Sequence, residues 1–584
     1  MKNEENLAYF LNEAKTIKTG RLEKKLRVAF LASFTINGFE ETMRVKCKKK
    51  KIECMTYVGD YNQYNQEILE NDSKFYRFKP ELTFLILDVR HILGELFFYP
   101  YSLSISEKED FVKNKIHEIT NLIRMIIKNS GSRVILTELQ IPTYSPYGIS
   151  DQNEKVGVKE IVREINIGIK HEVKDELLIS ILDFNQFIQR YGEQNIFNYN
   201  QFFSGDIKIS IEYIPKFVDE MMRYVTAITG TTKKCIVLDL DNTLWGGVVG
   251  EDGFENIKLG DDPIGRSFVE FQKRLLALNQ RGIILAINSK NNFDDAIKVV
   301  KEHPNMILRE ENFGCIKINW NDKVTNLYEI SRELNIGLDS FVFFDDDPIN
   351  REFIKKQLEQ VLVIDLPSDS AKFAHVLTEM NVFESLKITD EDVKRKDMYL
   401  GQRKRVEFEH KIGDINEFLK QMNIQVTIKK ADNFLVPRIS QLTLKTNQFN
   451  LTTKRYQQEQ ISSFSDDKNY VVECIEVSDK FGNNGITGAY IIKKKETEWI
   501  IDTFLLSCRI IGRGVEDAML SQLIERAKRE NIKKIKGEFI PTAKNKPAEN
   551  FYKEFGFKEE ENFWVFDTEQ TIKKVEHIKM VKNE

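Results

Sequence analysis

The stretch Cys235-Ile-Val-Leu-Asp-Leu-Asp-Asn-Thr-Leu-Trp245 decides the fold of the segment that carries the chemistry. Its four apolar residues at 235–238 predict a buried strand. Asp239 and Asp241 follow that strand, and Thr243 stands two residues after Asp241. Desolvated carboxylates repel each other, so a cation and a phosphate would make this arrangement favourable. An open α/β sheet binds its ligand at this end of its strands. The alternative is a simple Asp-Asn turn, and the stretch alone does not decide between the two.

Three later segments place further polar side chains at or near the ends of strand-like runs. An apolar run at 282–289 ends in Ser289, and another at 340–344 ends in Asp345-Asp346-Asp347. Between them, Lys323 precedes a helical pattern. Each segment has a simpler interpretation: a helix cap, a solvated lysine or a turn. Because all four occur in this order and at these places, we interpret them together as one phosphate site.

The order of acid pair, hydroxyl, lysine and second acid pair resembles the four-motif pattern of the haloacid-dehalogenase-like (HAD) phosphotransferases. This resemblance implies that Asp239 attacks phosphorus, while Asp241 protonates the leaving oxygen and then activates water. It also implies that Ser289 binds the phosphoryl oxygens and that Lys323 balances their charge. The implied metal site is oxygen-rich and suits Mg²⁺, with ligands from Asp239, the Asp241 carbonyl, Asp345 and Asp346. Asp241 is expected where the strand has already broken into a loop, because alternation along a strand would turn it away from Asp239.

The chain between Asp239 and Ser289 is too short for a large cap domain, so the site is expected to admit a bulky or protein-borne substrate. Three stretches resemble the FkbH-like branch, the HAD subfamily IIIC proteins of polyketide and related pathways: 244–253, 289–292 and 344–348. That family is associated with removing phosphate from 1,3-bisphosphoglycerate and loading its glyceryl unit onto an acyl carrier protein. In members assigned this activity, a cysteine often separates the two acids. Here the residue is Leu240, which weakens the loading function or moves its thiol step elsewhere.

Length and composition predict a globular protein of several domains, since a chain of 584 residues is too long to fold around one hydrophobic core. Hydrophobic residues make up 41% and charged residues 30% of the chain. The formal net charge of −4 gives no nucleic-acid footprint, and no run of eighteen apolar residues predicts a membrane span. Six cysteines without CxxC spacing predict reduced thiols and a cytoplasmic protein. The lysine run at 46–51 is interpreted as a solvated loop or strand end, with contact to a polyanion as the alternative.

The predicted fold class is α/β multidomain, in four parts. Residues 1–226 carry four strand-like runs and resemble the SGNH-hydrolase-like domain of longer FkbH-like proteins. Ser33 falls at the nucleophile position, but Gly-Asp-Ser and a late Asp-x-x-His are missing, so we interpret this domain as degenerate and His91 as structural. Residues 227–375 are predicted as a Rossmann-like HAD domain without a large cap, and residues 376–425 as a charged helical connector. Residues 426–584 are predicted as an α+β domain.

Glycines near the end of the chain predict a phosphate site at a helix start. The helix is predicted from Val515, and glycine before it lets a phosphate approach backbone amides where the helix dipole favours its charge. The spacing here and the stretch 545–557 resemble GNAT-type acyltransferases. The resemblance implies binding of coenzyme A, or of the phosphopantetheine of a carrier protein, by Arg509, Gly512, Arg513, Gly514, Asn550 and Tyr552. The stretches 446–453 and 479–485 also resemble the FkbH-like pattern.

Cys508 is the candidate thiol of that site, because a helix N-terminus lowers a thiol pKa. A buried small apolar residue is an equally good interpretation of it. Three functions follow. The first is a phosphatase and glyceryl transferase that takes a phosphorylated C3 metabolite and loads an acyl carrier protein. The second is a HAD phosphatase coupled to acylation of a sugar or other small molecule. The third is a scaffold that only binds a carrier protein.

Overall fold

The computed structural model describes residues 6–17, 24–388, 394–542, 544–561 and 563–582. The chain divides into two compact units, residues 1–231 and 232–584. Within the described ranges, no helix has the length and apolar character needed to cross a bilayer. All six cysteines are free. The predicted α/β multidomain fold class is confirmed.

The first unit is built around a five-stranded parallel sheet with the strand order β2-β1-β3-β4-β5. The strands are β1 (Lys24–Ala32), β2 (Ile52–Val58), β3 (Leu82–Ile86), β4 (Arg133–Thr137) and β5 (Ile179–Leu182). Sequence analysis identified all of these except β2. The α-helices are Leu7–Lys15, Phe39–Lys49, Tyr64–Leu69, Lys74–Phe78, Val89–Leu93, Ile105–Ser130, Val158–Val173, Phe184–Tyr191, Glu193–Ile196, Tyr199–Gly205 and Ile214–Thr229.

The lysine run at 46–51 was wrongly predicted as a loop or strand end. Most of it belongs to helix Phe39–Lys49, which buries Phe39, Met43 and Cys47 at a spacing of four residues. The apolar positions of this helix lie mostly before the lysine run, so the run alone does not show the helical pattern. The lysines stand in the last helical turn, where positive charge complements the helix dipole.

The second unit contains a five-stranded parallel sheet with the order β10-β9-β6-β7-β8. Its strands are β6 (Cys235–Leu238), β7 (Ile284–Ser289), β8 (Phe313–Ile318), β9 (Phe341–Phe344) and β10 (Leu362–Val363). The helices around it are Val249–Asp252, Pro263–Gln280, Phe293–Glu302, Lys323–Leu334, Pro348–Gln357 and Phe373–Glu379.

Strand β6 lies at the centre of this sheet and is buried on both faces. Ile236 and Leu238 pack into one hydrophobic cluster, whereas Cys235 and Val237 pack into another. Successive side chains of a strand point to opposite faces, so helices cover both sides of the sheet. Leu238 pairs with Ile287 of β7 on one side and with Phe344 of β9 on the other. The chain therefore leaves the sheet at the same edge after β6, β7 and β9.

A third, mixed sheet completes the second unit, with the order β17-β18-β16-β15-β14-β13-β11-β19 and β12 paired to β15. Its strands are β11 (Ile424–Lys430), β12 (Phe449–Asn450), β13 (Tyr470–Asp479), β14 (Gly482–Lys494), β15 (Glu498–Leu506), β16 (Lys534–Gly537), β17 (Lys558–Glu560), β18 (Phe563–Asp567) and β19 (Ile578–Lys582). The remaining α-helices are Arg395–Ile412, Ile415–Gln421, Val436–Lys445, Gln458–Asp466, Val515–Arg529 and Phe551–Phe555. Residues 389–393 of the predicted connector lie outside the described ranges.

Candidate active site

Three carboxylates meet at the carboxyl edge of the five-stranded sheet in the second unit. Asp239 follows β6, and Asp345 and Asp346 follow β9. One carboxylate oxygen of each lies within 4.8 Å of the other two. Asp239 Oδ1 is buried and has no hydrogen-bond partner among the described residues. Such an atom is costly to bury unless a ligand pairs with it, so the oxygen set fits a hard divalent cation.

Lys323 holds this cluster together. It is the first residue of helix Lys323–Leu334, and its Nζ lies 2.8 Å from Asp239 Oδ2 and 2.5 Å from Asp345 Oδ2. Burial alone would lower the pKa of Lys323, but the carboxylates of Asp239 and Asp345 outweigh it and raise the pKa. The Asn288 side chain donates to the Lys323 carbonyl oxygen at 2.9 Å. This contact fixes the start of the helix beneath β7.

The two acids after β9 resist ionisation. Burial, followed by the charge of Asp239, raises the pKa of Asp345. Burial and the charges of Asp239 and Asp345 raise the pKa of Asp346 to about 6. Because like charges disfavour one another's ionisation, a bound cation would favour the fully ionised cluster.

Asp241 faces a different set of partners. Its Oδ1 accepts hydrogen bonds from Trp245 Nε1 at 2.9 Å and from the Val249 amide at 3.1 Å. Its Oδ2 accepts from Asn291 Nδ2 at 2.7 Å. Burial raises the pKa of Asp241, and these hydrogen bonds lower it only in part. A half-buried acid with a raised pKa suits a general acid and base.

The chain turns sharply after the strand, as sequence analysis predicted for Asp241. Asn242 has φ +51°, in the left-handed region that asparagine tolerates better than most residues. Its side chain accepts a hydrogen bond from the Gly247 amide at 2.8 Å. Asp241 lies outside the carboxylate cluster, so its proposed metal ligation through the backbone carbonyl stays a prediction.

Sequence analysis missed the residues that position the acids. Trp245 and Asn291 stand inside motifs that it quoted, but no role was assigned to them. Arg351 was not considered. Its Nη1 donates to the carbonyl oxygens of Asp345 at 2.7 Å and Asp346 at 2.6 Å, which shapes the loop after β9. An arginine three residues after Asp-Pro is the signal that could have found it.

Ser289 is the last residue of β7 and is 1% exposed. It stands at the same sheet edge as the acids, where the phosphate is predicted. Between Asp239 and Ser289 the described chain forms only two α-helices, Val249–Asp252 and Pro263–Gln280, with Gly246 bridged to Lys258. This segment therefore forms no cap domain.

At the start of helix Val515–Arg529, where the coenzyme site is predicted, protein side chains contact the glycine loop. The Gly512 amide donates to Glu516 Oε1 at 3.3 Å, and burial raises the pKa of that carboxyl group. Val575 and His577 lie against Gly514, and His577 Nε2 is 2.8 Å from the Arg513 carbonyl oxygen. A phosphate at this helix start would have to displace Glu516.

The arginines of the same loop turn towards helix Arg395–Ile412. Arg509 contacts Met398, and Arg513 donates to Gln402 Oε1 at 2.6 Å. Arg513 also lies 3.4 Å from Asp479, whose second partner is Arg405 at 2.8 Å. These buried contacts attach the charged helix to the third sheet.

The other residues assigned to that site do not gather at the loop. Asn550 is exposed, whereas Tyr552 is 1% exposed and packs against Gly537 of β16. The Tyr552 hydroxyl has no hydrogen-bond partner in the described part of the chain. Cys508 is half-buried, and its carbonyl oxygen accepts a hydrogen bond from Asn335.

In the first unit, Ser33 is fully buried directly after β1, and its Oγ accepts a hydrogen bond from the Asp88 amide at 2.8 Å. His91 Nδ1 is 3.4 Å from the Asp88 carboxylate, which Lys208 Nζ also contacts at 3.1 Å. Among the described residues, no hydrogen bond joins Ser33 to a histidine. This geometry agrees with a structural role for His91.

Comparisons with known proteins found a family model and solved structures that are similar to parts of this chain. The family model described as FkbH, N-terminal domain, matches residues 27–226. The crystal structure of the N-terminal part of protein BF1531 from Bacteroides fragilis, containing a phosphatase domain complexed with Mg, is 27% identical to this chain. The match covers 65% of this chain and 99% of that one, with a TM-score of 0.59. No curated protein matches the chain.

Acetyltransferase structures also match, at lower similarity. The ribosomal-protein-S18-alanine N-acetyltransferase from Escherichia coli is 13% identical, covering 25% of this chain and 96% of its own, with a TM-score of 0.21. A GNAT-family acetyltransferase from Staphylococcus aureus Mu50 is 13% identical, covering 25% and 99%, with a TM-score of 0.20. At these TM-scores the acetyltransferase interpretation of residues 426–584 stays a prediction. Residues 27–226 are therefore similar to the FkbH N-terminal domain, and 65% of the chain is similar to a structure that contains a phosphatase domain complexed with Mg.

Proposed function

We propose that this protein is a Mg²⁺-dependent phosphatase of the HAD type. The observation that carries the proposal is Lys323, which bridges Asp239 and Asp345 at the carboxyl edge of a parallel sheet. Asp346 completes a three-carboxylate set beside it. The similar Bacteroides fragilis protein was solved as a complex with Mg. When bound, Mg²⁺ would neutralise charge on the transferring phosphoryl group.

The side chains supply the remaining chemistry in two steps. Asp239 Oδ1 bonds to phosphorus while the bond to the leaving oxygen breaks, and Asp241 gives that oxygen its proton. Asp241 then takes a proton from water, which attacks the aspartyl-phosphate and releases inorganic phosphate. Lys323 neutralises charge on the nucleophile and the phosphoryl group throughout, and Ser289 donates to a phosphoryl oxygen.

The substrate we propose is a phosphoglyceryl compound of the 1,3-bisphosphoglycerate type, with an acyl carrier protein as acceptor. A carrier thiol would displace the acyl phosphate, forming a thioester and releasing phosphate. The remaining phosphate ester would be hydrolysed at Asp239. Support comes from the lack of a cap domain between Asp239 and Ser289 and from three exposed apolar side chains on loops or helix starts at the same sheet edge: Phe293, Trp320 and Ile349, exposed by 50%, 75% and 77%. Exposed apolar residues around an uncapped site suit a protein-borne substrate.

The thiol step cannot use the position between the two acids. Leu240 is fully buried and belongs to the hydrophobic cluster beneath the sheet. A cysteine there would be packed among apolar side chains and not presented at the site. Any protein thiol would have to come from elsewhere, and the phosphopantetheine of the carrier supplies one without it.

Mass spectrometry of a holo carrier protein tests this function. The carrier is incubated with 1,3-bisphosphoglycerate, Mg²⁺ and the full-length protein, and we expect a glyceryl mass increment on the carrier. Trp320→Ala should reduce that transfer about tenfold or more, since exposed tryptophans often dominate protein interfaces. Hydrolysis of a small phosphate ester should be unchanged. Phe434→Ala, which removes an aromatic side chain exposed by 91%, is the matched control.

Two results would count against the carrier function. Phosphate release without any mass increment would leave a phosphatase alone. Acylation of a small molecule from acetyl-CoA would favour the coupled acyltransferase, although Glu516 and His577 already fill the loop where coenzyme A was predicted.

Asp346→Asn is expected to make the metal-free protein more stable at pH 7.5. Because the charged form of Asp346 is disfavoured in the fold, its raised pKa means that stability is lost as the pH rises towards about 6. In metal-free protein at pH 7.5, Asp346→Asn should therefore stabilise the second unit by about 1 kcal/mol, after allowance for its partial exposure. The gain should fall to about half at pH 5, where the wild-type carboxyl group is largely protonated in the folded protein but still ionised in the unfolded chain. Thermal unfolding in EDTA at both pH values measures it.

Addition of Mg²⁺ provides the control for that measurement. The cation should raise the melting temperature of the wild-type protein and have little effect on Asp346→Asn. A variant that is no more stable than the wild type at pH 7.5 would show that burial and the neighbouring carboxylates do not disfavour the ionised form of Asp346.

A further inference from the structure

A cavity of about 300 Å³ lies at the opposite edge of the parallel sheet from the acids, between that sheet and the third sheet. Lys234, Ile284 and Ser340 stand at the amino ends of β6, β7 and β9 and line one wall. Residues 445–448 and 507–509 line the other wall. The five residue steps from Lys234 to Asp239 place the cavity roughly 16 Å from the acid cluster. It is therefore a separate site.

Positive charge dominates the lining of this cavity. Seven of its lining residues are Lys or Arg, and two are Asp or Glu. The chain as a whole is slightly acidic, with a formal net charge of −4. The excess of cations is therefore a local feature, and such a concentration in a concave site attracts anions.

The lowered pKa of Asp339 is a second sign of the positive charge around the cavity. Burial alone would raise the pKa of this carboxyl group, but Lys544, Lys234 and Lys233 outweigh it and lower the pKa. Two further cations of the lining are almost completely buried. Arg438 is 8% exposed and Arg509 is 7% exposed. Both guanidinium groups already donate within the protein, Arg438 to the Ile486 carbonyl oxygen at 2.9 Å and Arg509 to Ser507 Oγ at 3.4 Å, so they add positive charge to the cavity without being its phosphate ligands.

The same cavity has apolar walls as well. Ile283, Ile336, Phe383 and Leu442 line it and are buried. A pocket with apolar walls and a few convergent charged groups is typical of a small-molecule site, and about 300 Å³ falls at the lower end of the usual range. Thr446 and Asn447, from a stretch that resembles the FkbH-like pattern, also border the space.

We infer that this cavity binds a phosphate-bearing small molecule, with the phosphate held by the cationic groups that include Lys234, Arg281 and Lys445 and the remainder against the apolar wall. The phosphate could belong to a free phosphorylated metabolite or to a phosphopantetheine arm. Cys508 and Arg509 line the cavity, so these two residues of the predicted coenzyme site belong to this space and not to the glycine loop.

Calorimetric titration of the full-length Asp239→Asn protein in EDTA isolates this site from the acid cluster. Inorganic pyrophosphate and 4′-phosphopantetheine are the probes. We expect one molecule of probe to bind per chain. Lys234→Gln combined with Lys445→Gln should weaken its affinity at least tenfold, because charge-assisted hydrogen bonds contribute strongly in a half-buried site. Lys420→Gln combined with Lys558→Gln, two exposed lysines away from the cavity, is the matched control.

The Lys234 amine donates to the Lys445 carbonyl oxygen at 3.2 Å, so the double lysine variant could lose binding through a change in the fold. A second variant that keeps both lysines controls for this. Ser385→Trp fills the cavity from its rim without changing its charge, and it should also abolish binding. Near-UV circular dichroism confirms the fold of each variant. Tighter binding of one probe identifies the source of the phosphate. Absence of binding by both probes, or binding that survives both the lysine pair and the tryptophan, would overturn the inference.

Discussion

Asp239→Asn is expected to abolish phosphate release while leaving the protein folded. The substitution keeps the size of the side chain and its acceptor towards Lys323, which lies 2.8 Å from Asp239 Oδ2. It removes the nucleophilic charge at Oδ1, the buried oxygen without a partner in the described residues. Loss of a covalent nucleophile lowers turnover by several orders of magnitude, so we expect a decrease of at least ~10³-fold. Phosphate release from a small phosphate ester in the presence of Mg²⁺ measures it.

Asp294→Asn is the matched control for this prediction. Asp294 is exposed in the first turn of helix Phe293–Glu302, which follows the Ser289 loop, so the substitution makes the same charge change near the site. Its activity should stay within about twofold of the wild type, as for most surface substitutions. A phosphate ester with an isotopically labelled phosphoryl group should label the wild-type chain transiently and the Asp239→Asn chain not at all. Turnover by Asp239→Asn at the wild-type rate would assign the nucleophile to another residue.

The meeting of the acids could be predicted from sequence because it depends on strand ends alone. Short apolar runs before Asp239 and Asp345 fix two parallel strands, and parallel neighbours end at one edge of the sheet. Lys323 could be predicted for a similar reason, since it starts the helix after β8. The structure adds the distances and shows that Lys323 contacts both acids.

The partners of Asp241 were not predictable in the same way. They depend on the left-handed turn at Asn242, which brings Trp245 and Val249 back to the carboxylate, and on Asn291 from a different strand end. Neither spacing nor hydrophobic periodicity encodes such contacts. They follow only from the path of the chain in three dimensions.

The coenzyme prediction rests on a local motif and stays a prediction. A glycine before a helix leaves amide donors available in principle, but tertiary contacts decide what occupies them. Here Glu516 accepts from Gly512, and a segment near the end of the described chain brings His577 against Gly514. The cationic cavity was equally hidden, because its lysines and arginines are far apart in sequence and meet only where two sheets pack together.

Lys323→Met is expected to destabilise the second unit by about 3 kcal/mol at pH 7.5 and to abolish activity. Lys323 is 3% exposed and lies against two buried carboxylates, so its removal leaves negative charge uncompensated in the interior. Breaking a buried ion pair by removing one partner typically costs about 3–5 kcal/mol, and partial protonation of the acids reduces the loss. Denaturant unfolding in EDTA measures it, with exposed Lys356→Met as the control.

The pH dependence and a double variant distinguish this electrostatic cause from lost packing. At pH 5 the pKa of Asp346, raised to about 6, keeps that acid largely protonated in the folded protein, and the raised pKa of Asp345 acts in the same direction, so the variant should recover part of the lost stability. Lys323→Met combined with Asp345→Asn should likewise be more stable than Lys323→Met alone at pH 7.5, because one uncompensated charge has gone. Neither change should restore phosphate release, since the lysine is still missing from the phosphoryl site. A loss of stability that is the same at both pH values and in the double variant would mean that Lys323 stabilises the fold by packing, and the charge-balancing role assigned to it would fail.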